Sequence, residues 1–76
     1  MNRERRLKID DLRVKIASIR EELESILSDE QDYFDNMPES FQNGEKGEKA
    51  QAAIDALQEA VDGLENAENA CENAVE

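Results

Sequence analysis

From Ile9 the large apolar residues recur at alternating steps of three and four: Ile9, Leu12, Ile16, Ile19, Leu23 and Ile26, with Glu30 and Tyr33 closing the series. That spacing keeps one side of an α-helix apolar. In heptad lettering it sets Ile9, Ile16 and Leu23 at position a, and Leu12, Ile19 and Ile26 at position d. No Gly or Pro falls within residues 1–35. The pattern predicts a helix over residues 3–34, about 45 Å long at 1.5 Å per residue.

The second half repeats every seven residues. EKAQAAI, DALQEAV, DGLENAE and NACENAV are four consecutive heptads covering Glu48 to Val75. Their a/d row reads Ala50, Ile54, Leu57, Val61, Leu64, Glu68, Cys71 and Val75. Alanine fills every g position (Ala53, Ala60, Ala67, Ala74), and small residues fill c (Ala56, Gly63, Ala70). A second helix over 45–75 follows, with one broad face open to the close approach of another helix.

Between the two, Pro38 cannot extend a helix from upstream, and Asn43-Gly44 signals a turn. Residues 35–44 form the connection, with Pro38 suited to open a single helical turn over 38–42. A connection this short between long helices favours an antiparallel pair. Charge agrees. Residues 1–20 hold seven of the nine basic residues, whereas residues 55–76 hold seven acids and no base. Each segment opposes its own macrodipole, and an antiparallel partner sets the basic start of one beside the acidic end of the other.

The expected fold is therefore all-α: one domain over 1–76, an antiparallel, coiled-coil-like two-helix hairpin. Matching the a/d rows gives a register in which facing residue numbers sum to about 80. Leu12 then faces Glu68, Leu23 faces Leu57, Ile26 faces Ile54, Arg6 lies near Glu72 and Arg13 near Glu65. Tyr33 would sit over Gly47, where the missing side chain leaves room for a ring. Phe34, Met37 and Phe41 would join Tyr33 as an apolar plug for the closed end.

Two helices leave apolar surface over. Leu7 and Val14 share position f, Leu27 and Phe34 share position e, and the row of Ala53, Ala60 and Ala67 continues beyond the seam. Docking a second hairpin would cover them, so a four-helix bundle or higher homo-oligomer is expected. Phe34 and Phe41 are further anchors for a partner.

Candidate chemistry is sparse. The chain has no histidine, which removes the commonest general base and metal ligand. The acids Asp29, Glu30, Asp32 and Asp35 fail the calcium-loop pattern, since its Gly and Glu positions fall on Phe34 and Ser40. Asn43 to Lys49 has no phosphate-loop spacing. Cys71, the only cysteine, lies on the seam and reads as a buried thiol or a bridge between subunits. Glu68, at an a position, either reaches a base such as Lys8, Arg13 or Lys15 or acts as a polar device that fixes register. No catalytic activity, cofactor or metal is expected.

Twenty acidic residues against nine basic ones leave a net charge of −11. Such a surface disfavours direct nucleic-acid binding and suits a basic partner, or imitation of nucleic acid toward a protein that binds it. Asp55, Glu59, Asp62, Glu65, Glu72 and Glu76 form the candidate mimic face. No apolar run approaches a membrane span, and the basic N-terminus precedes no apolar signal core, so a cytoplasmic protein is expected.

The acidic heptad helix, YFDNMPESFQ and the closing AIDALQEAVDGLENAENACENA together resemble small uncharacterised helical-hairpin proteins of bacteriophage and prophage genomes. FDNMPES (Phe34 to Ser40) is the most specific part. The resemblance implies a phage context in a bacterial host cell and carries no activity. A weaker likeness, over MPESFQNGEKGEKAQAAIDALQEAV, is to phage anti-CBASS cyclic-nucleotide sponges. Here no arginine follows Ser40 and no aromatic follows Glu59-Ala60, so no ligand residues are carried over. The expected function is a non-enzymatic protein-interaction module, with inhibition of a host defence protein as its concrete form. A ligand sponge using Lys8, Arg13 and Lys15, or a structural, virion-associated bundle, are the alternatives.

Overall fold

The computed structural model describes residues 1–76, and the chain is all-α. Helix α1 spans Arg3–Asp35, the short α2 spans Glu39–Gln42 and α3 spans Glu45–Val75. The molecule is a rod of 58 × 14 × 13 Å.

Each boundary has a local cause. The Asn2 side chain caps α1 by accepting from the Arg5 N–H at 2.9 Å, which satisfies one of the four amide donors left free at a helix start. Pro38 disfavours helical geometry at Met37, and α1 has ended by Asn36. Pro38 itself stands just before α2, where its absent N–H removes nothing. Gly44 opens α3 without a side-chain cap. These limits match the predicted elements to within a residue at each end.

α3 packs along α1, and α2 packs on α3. The core is small: Leu27, Ile54 and Val61 are buried together, with Leu23, Phe34 and Leu57 packed against them. On α3 the expected row holds. Gly47, Ala50, Ile54 and Val61 are buried, and Leu57, Leu64, Glu68, Cys71 and Val75 are half-buried.

α1 is turned relative to expectation. Its less exposed residues are Ile9, Arg13, Ile16, Arg20, Leu23, Leu27, Glu30 and Phe34, which are rows a and e, with Asp10 and Ala17 of the adjoining row b. The d residues Leu12, Ile19, Ile26 and Tyr33 are each about half exposed. Leu27 and Phe34, expected to meet another chain, are instead part of this chain's own core.

The cause is electrostatic as much as apolar. Glu68 sits in the seam of α3, and in the a/d arrangement its carboxylate would press on Leu12 without a partner. Removing a carboxylate from water unpaired is strongly unfavourable. With row e inward, Arg20 donates to both Glu68 oxygens, Nε to Oε2 at 2.5 Å and Nη2 to Oε1 at 3.3 Å. A third bond runs from Arg20 Nη1 to Glu24 at 2.6 Å. Row e also brings Phe34 inward and leaves the Tyr33 hydroxyl outside, so no phenol needs a buried partner.

The ion pairs differ accordingly. Glu68 meets Arg20 rather than standing over Leu12. Arg6, Glu65 and Glu72 form no ion pair, and Arg13 pairs with Asp10 on its own helix at 3.7 Å.

The corner is rearranged in consequence. Gly47 is covered by α2 and not by Tyr33: a Cβ added there would stand 2.6 Å from Gln42 Cα and closer still to its carbonyl. Gln42 Nε2 donates to the Phe34 carbonyl at 3.0 Å, tying α2 to the end of α1. Of the four residues expected to plug this end, Phe34 and Met37 are half-buried, and Tyr33 and Phe41 lie outside.

The Arg20–Glu68 pair can be tested directly. Arg20→Leu and Glu68→Leu alone should each lower the midpoint of thermal unfolding followed by circular dichroism, because each strands a charge in the seam. The double variant should recover or exceed the parent, since an apolar pair of similar size needs no compensation. If the two single losses simply add, the pair is not coupled in the way described.

Candidate interaction surface

Only five residues are buried, while Met1, Leu7, Leu12, Val14, Ile19, Ile26, Tyr33 and Phe41 are each about half exposed or more. Four of these eight lie in line. Leu12, Ile19, Ile26 and Tyr33 fall every seven residues and form one strip along α1, about 30 Å long at the helical rise. Leu7 and Val14 lie nearly opposite this strip, on position f, where the following f residues are Glu21, Ser28 and Asp35.

At its carboxyl end the strip runs into an open groove of about 400 Å³ lined by Tyr33, Asn36, Met37, Pro38, Phe41 and Lys46. Lys46 Nζ stands 5.4 Å from the centroid of the Phe41 ring, within reach of a cation–π contact. The groove follows from the corner chemistry. Pro38 ends α1, α2 folds back over Gly47, and the two exposed rings are left on either side.

The other residues singled out from the sequence are dispersed. Ala53 and Ala67 are half-buried beside the seam, and Ala60 is exposed. Asp55, Glu59, Asp62, Glu65, Glu72 and Glu76 are all exposed, and none forms an ion pair. Asp55 and Asp62 accept from Gln51 and Gln58, each at 3.0 Å. Lys8, Arg13 and Lys15 do not converge on Glu68; they are held by Glu4, Asp10 and Asp11 of their own helix.

Arg20 is the residue that sequence reasoning missed. The hydrogen bond to Glu68, then that to Glu24, pushes its guanidinium above its already high pKa, so it stays charged at every pH at which the chain folds. The signal was available in part: Glu68 breaks an apolar row, and Arg20 is the last of three successive arginines on row e (Arg6, Arg13, Arg20). Cys71 is a half-buried free thiol. No group of three or more acids or thiols is arranged to hold a metal ion. No helix is long and apolar enough to cross a membrane.

Fold and surface together define an all-α helical protein whose largest distinctive feature is an apolar strip on one long helix. No protein-family model, curated protein or solved structure matches the chain.

Proposed function

We propose that the chain is a non-enzymatic interaction module: an antiparallel two-helix hairpin that associates with itself, as half of a four-helix bundle, and presents an acidic surface to a protein partner. The observation that carries this reading is the exposed strip of Leu12, Ile19, Ile26 and Tyr33. Four large apolar residues in line along one helix exceed the isolated exposed apolar residues of an ordinary soluble surface. Rows a and d, widened by Leu27 and Phe34 of row e, make α1 apolar over an arc wide enough for two neighbouring helices, of which α3 supplies one.

Sedimentation over micromolar to millimolar concentration tests the self-association. A species of twice the chain mass or more should grow with concentration, and a strict monomer throughout overturns it. The unpaired carboxylates of α3 make a basic protein the class of partner. With the likeness of Phe34–Ser40 to phage proteins, an inhibitor of a nucleic-acid-binding host defence protein is its concrete form. Such a complex should weaken as salt rises; binding indifferent to salt removes this part.

A further inference from the structure

We infer that a second copy of this chain docks on the d strip of α1 in antiparallel orientation, with a two-fold axis beside Ile19. This rests on the self-association proposed above and adds to it the surface and the direction.

The direction is written in the charged row that borders the strip. On the side of row d away from α3 lies row g: Lys8, Lys15, Glu22 and Asp29, all exposed. Two cations are followed by two anions. Lys8 and Lys15 contact only Glu4 and Asp11 of their own helix, at 3.5 and 3.1 Å and with side chains mostly in solvent. Glu22 and Asp29 contact no cation.

In a pair of antiparallel helices the g rows face each other. Sliding two copies of α1 until Lys15 of each faces Glu22 of the other also sets Lys8 opposite Asp29. The same register meshes the exposed strips: Ile19 opposes Ile19 of the partner, and Leu12 opposes Ile26. A single register thus satisfies the charged flank and the apolar strip at once.

The parallel alternative fails on the same residues. In an in-register parallel pair equal heights meet, which sets Lys8 and Lys15 level with Lys8 and Lys15 of the other copy, and Glu22 and Asp29 level with their own counterparts, and like charges in those positions reject a partner. The alanine row of α3 offers no comparable directional code, because the rows beside it, c and d, carry small or apolar residues apart from Lys49.

Cross-linking distinguishes this arrangement. In a Cys71→Ser background, Lys15→Cys and Glu22→Cys chains are mixed and gently oxidised. The mixture should form a covalent dimer containing one chain of each kind, whereas either variant alone should remain single. Like-with-like cross-links, or none in a solution that sedimentation shows to be dimeric, overturn the surface and direction while leaving self-association standing. A monomer at every concentration overturns both. Ile19→Glu supplies an independent reading. Ile19 is half exposed in the single chain, so helix content by circular dichroism should be kept while the dimer weakens about 30-fold or more, the scale of an interface hot spot. An unweakened dimer places the contact elsewhere.

Discussion

Leu27→Ala is expected to destabilise the folded chain by about 2–4 kcal/mol, the range for truncating a buried leucine. The adjacent Ile26→Ala should be nearly silent in a dilute monomer. The heptad pattern alone ranks them the other way, since Ile26 occupies a d position and Leu27 does not. In the structure Leu27 is 7% exposed within the cluster with Ile54 and Val61, whereas Ile26 is 53% exposed. For a domain whose whole stability is of order 5 kcal/mol, losing Leu27 should shift the folded population measurably at room temperature. Urea unfolding of both variants at micromolar concentration measures this. Equal losses would return Ile26 to the internal seam. Raising the concentration adds a second test, because Ile26→Ala should lose stability relative to the parent only where the parent self-associates.

Gly47→Ala and Gly63→Ala should change stability in opposite directions, though both replace a glycine within the same helix. Alanine is favoured over glycine in a helix interior by about 1 kcal/mol. At Gly63 nothing lies within 4 Å of an added Cβ, so the full gain should appear as a higher unfolding midpoint. At Gly47 the Cβ would meet the backbone of Gln42. Backbone cannot rotate away as a side-chain tip can, so α2 must move. Overpacking of this kind costs about 1–3 kcal/mol, enough to offset the helical gain and leave a net loss. The loss should come with release of the Gln42–Phe34 bond, visible as faster amide exchange across residues 38–44. A stabilised Gly47→Ala variant would mean that α2 does not sit on α3 as described.

These two contrasts also separate what was legible from what was not. Helix limits were legible because their causes are local: Asn2 caps, Pro38 stops, Gly44 opens. The inward row of α3 was legible too, since only a/d carries its large apolar residues while b, c, e, f and g are small or charged. α1 was ambiguous. It is apolar at a and d, and also at e in its carboxyl half (Leu27, Phe34), and the heptad rule names only a and d. Of the candidate surface, Leu7 and Val14 were foreseen as left outside the hairpin, Phe41 was expected in the plug as well as at a partner, Leu27 and Phe34 lie in this chain's own core, and the strip from Leu12 to Tyr33 was hidden inside the expected seam.

Helices, their ends and the apolar rows along them are properties of neighbours within a few residues, so the sequence by itself determined them. Which row of α1 turns inward was decided only by tertiary contact. In the carboxyl half of α1, rows d and e offer nearly equal apolar fit, Ile26 and Tyr33 against Leu27 and Phe34. What separates them are contacts between residues far apart in the chain: Arg20 with Glu68, and Gln42 over Gly47. Once those hold, Leu27 and Phe34 go inside, and Ile19 and Ile26 are left facing out.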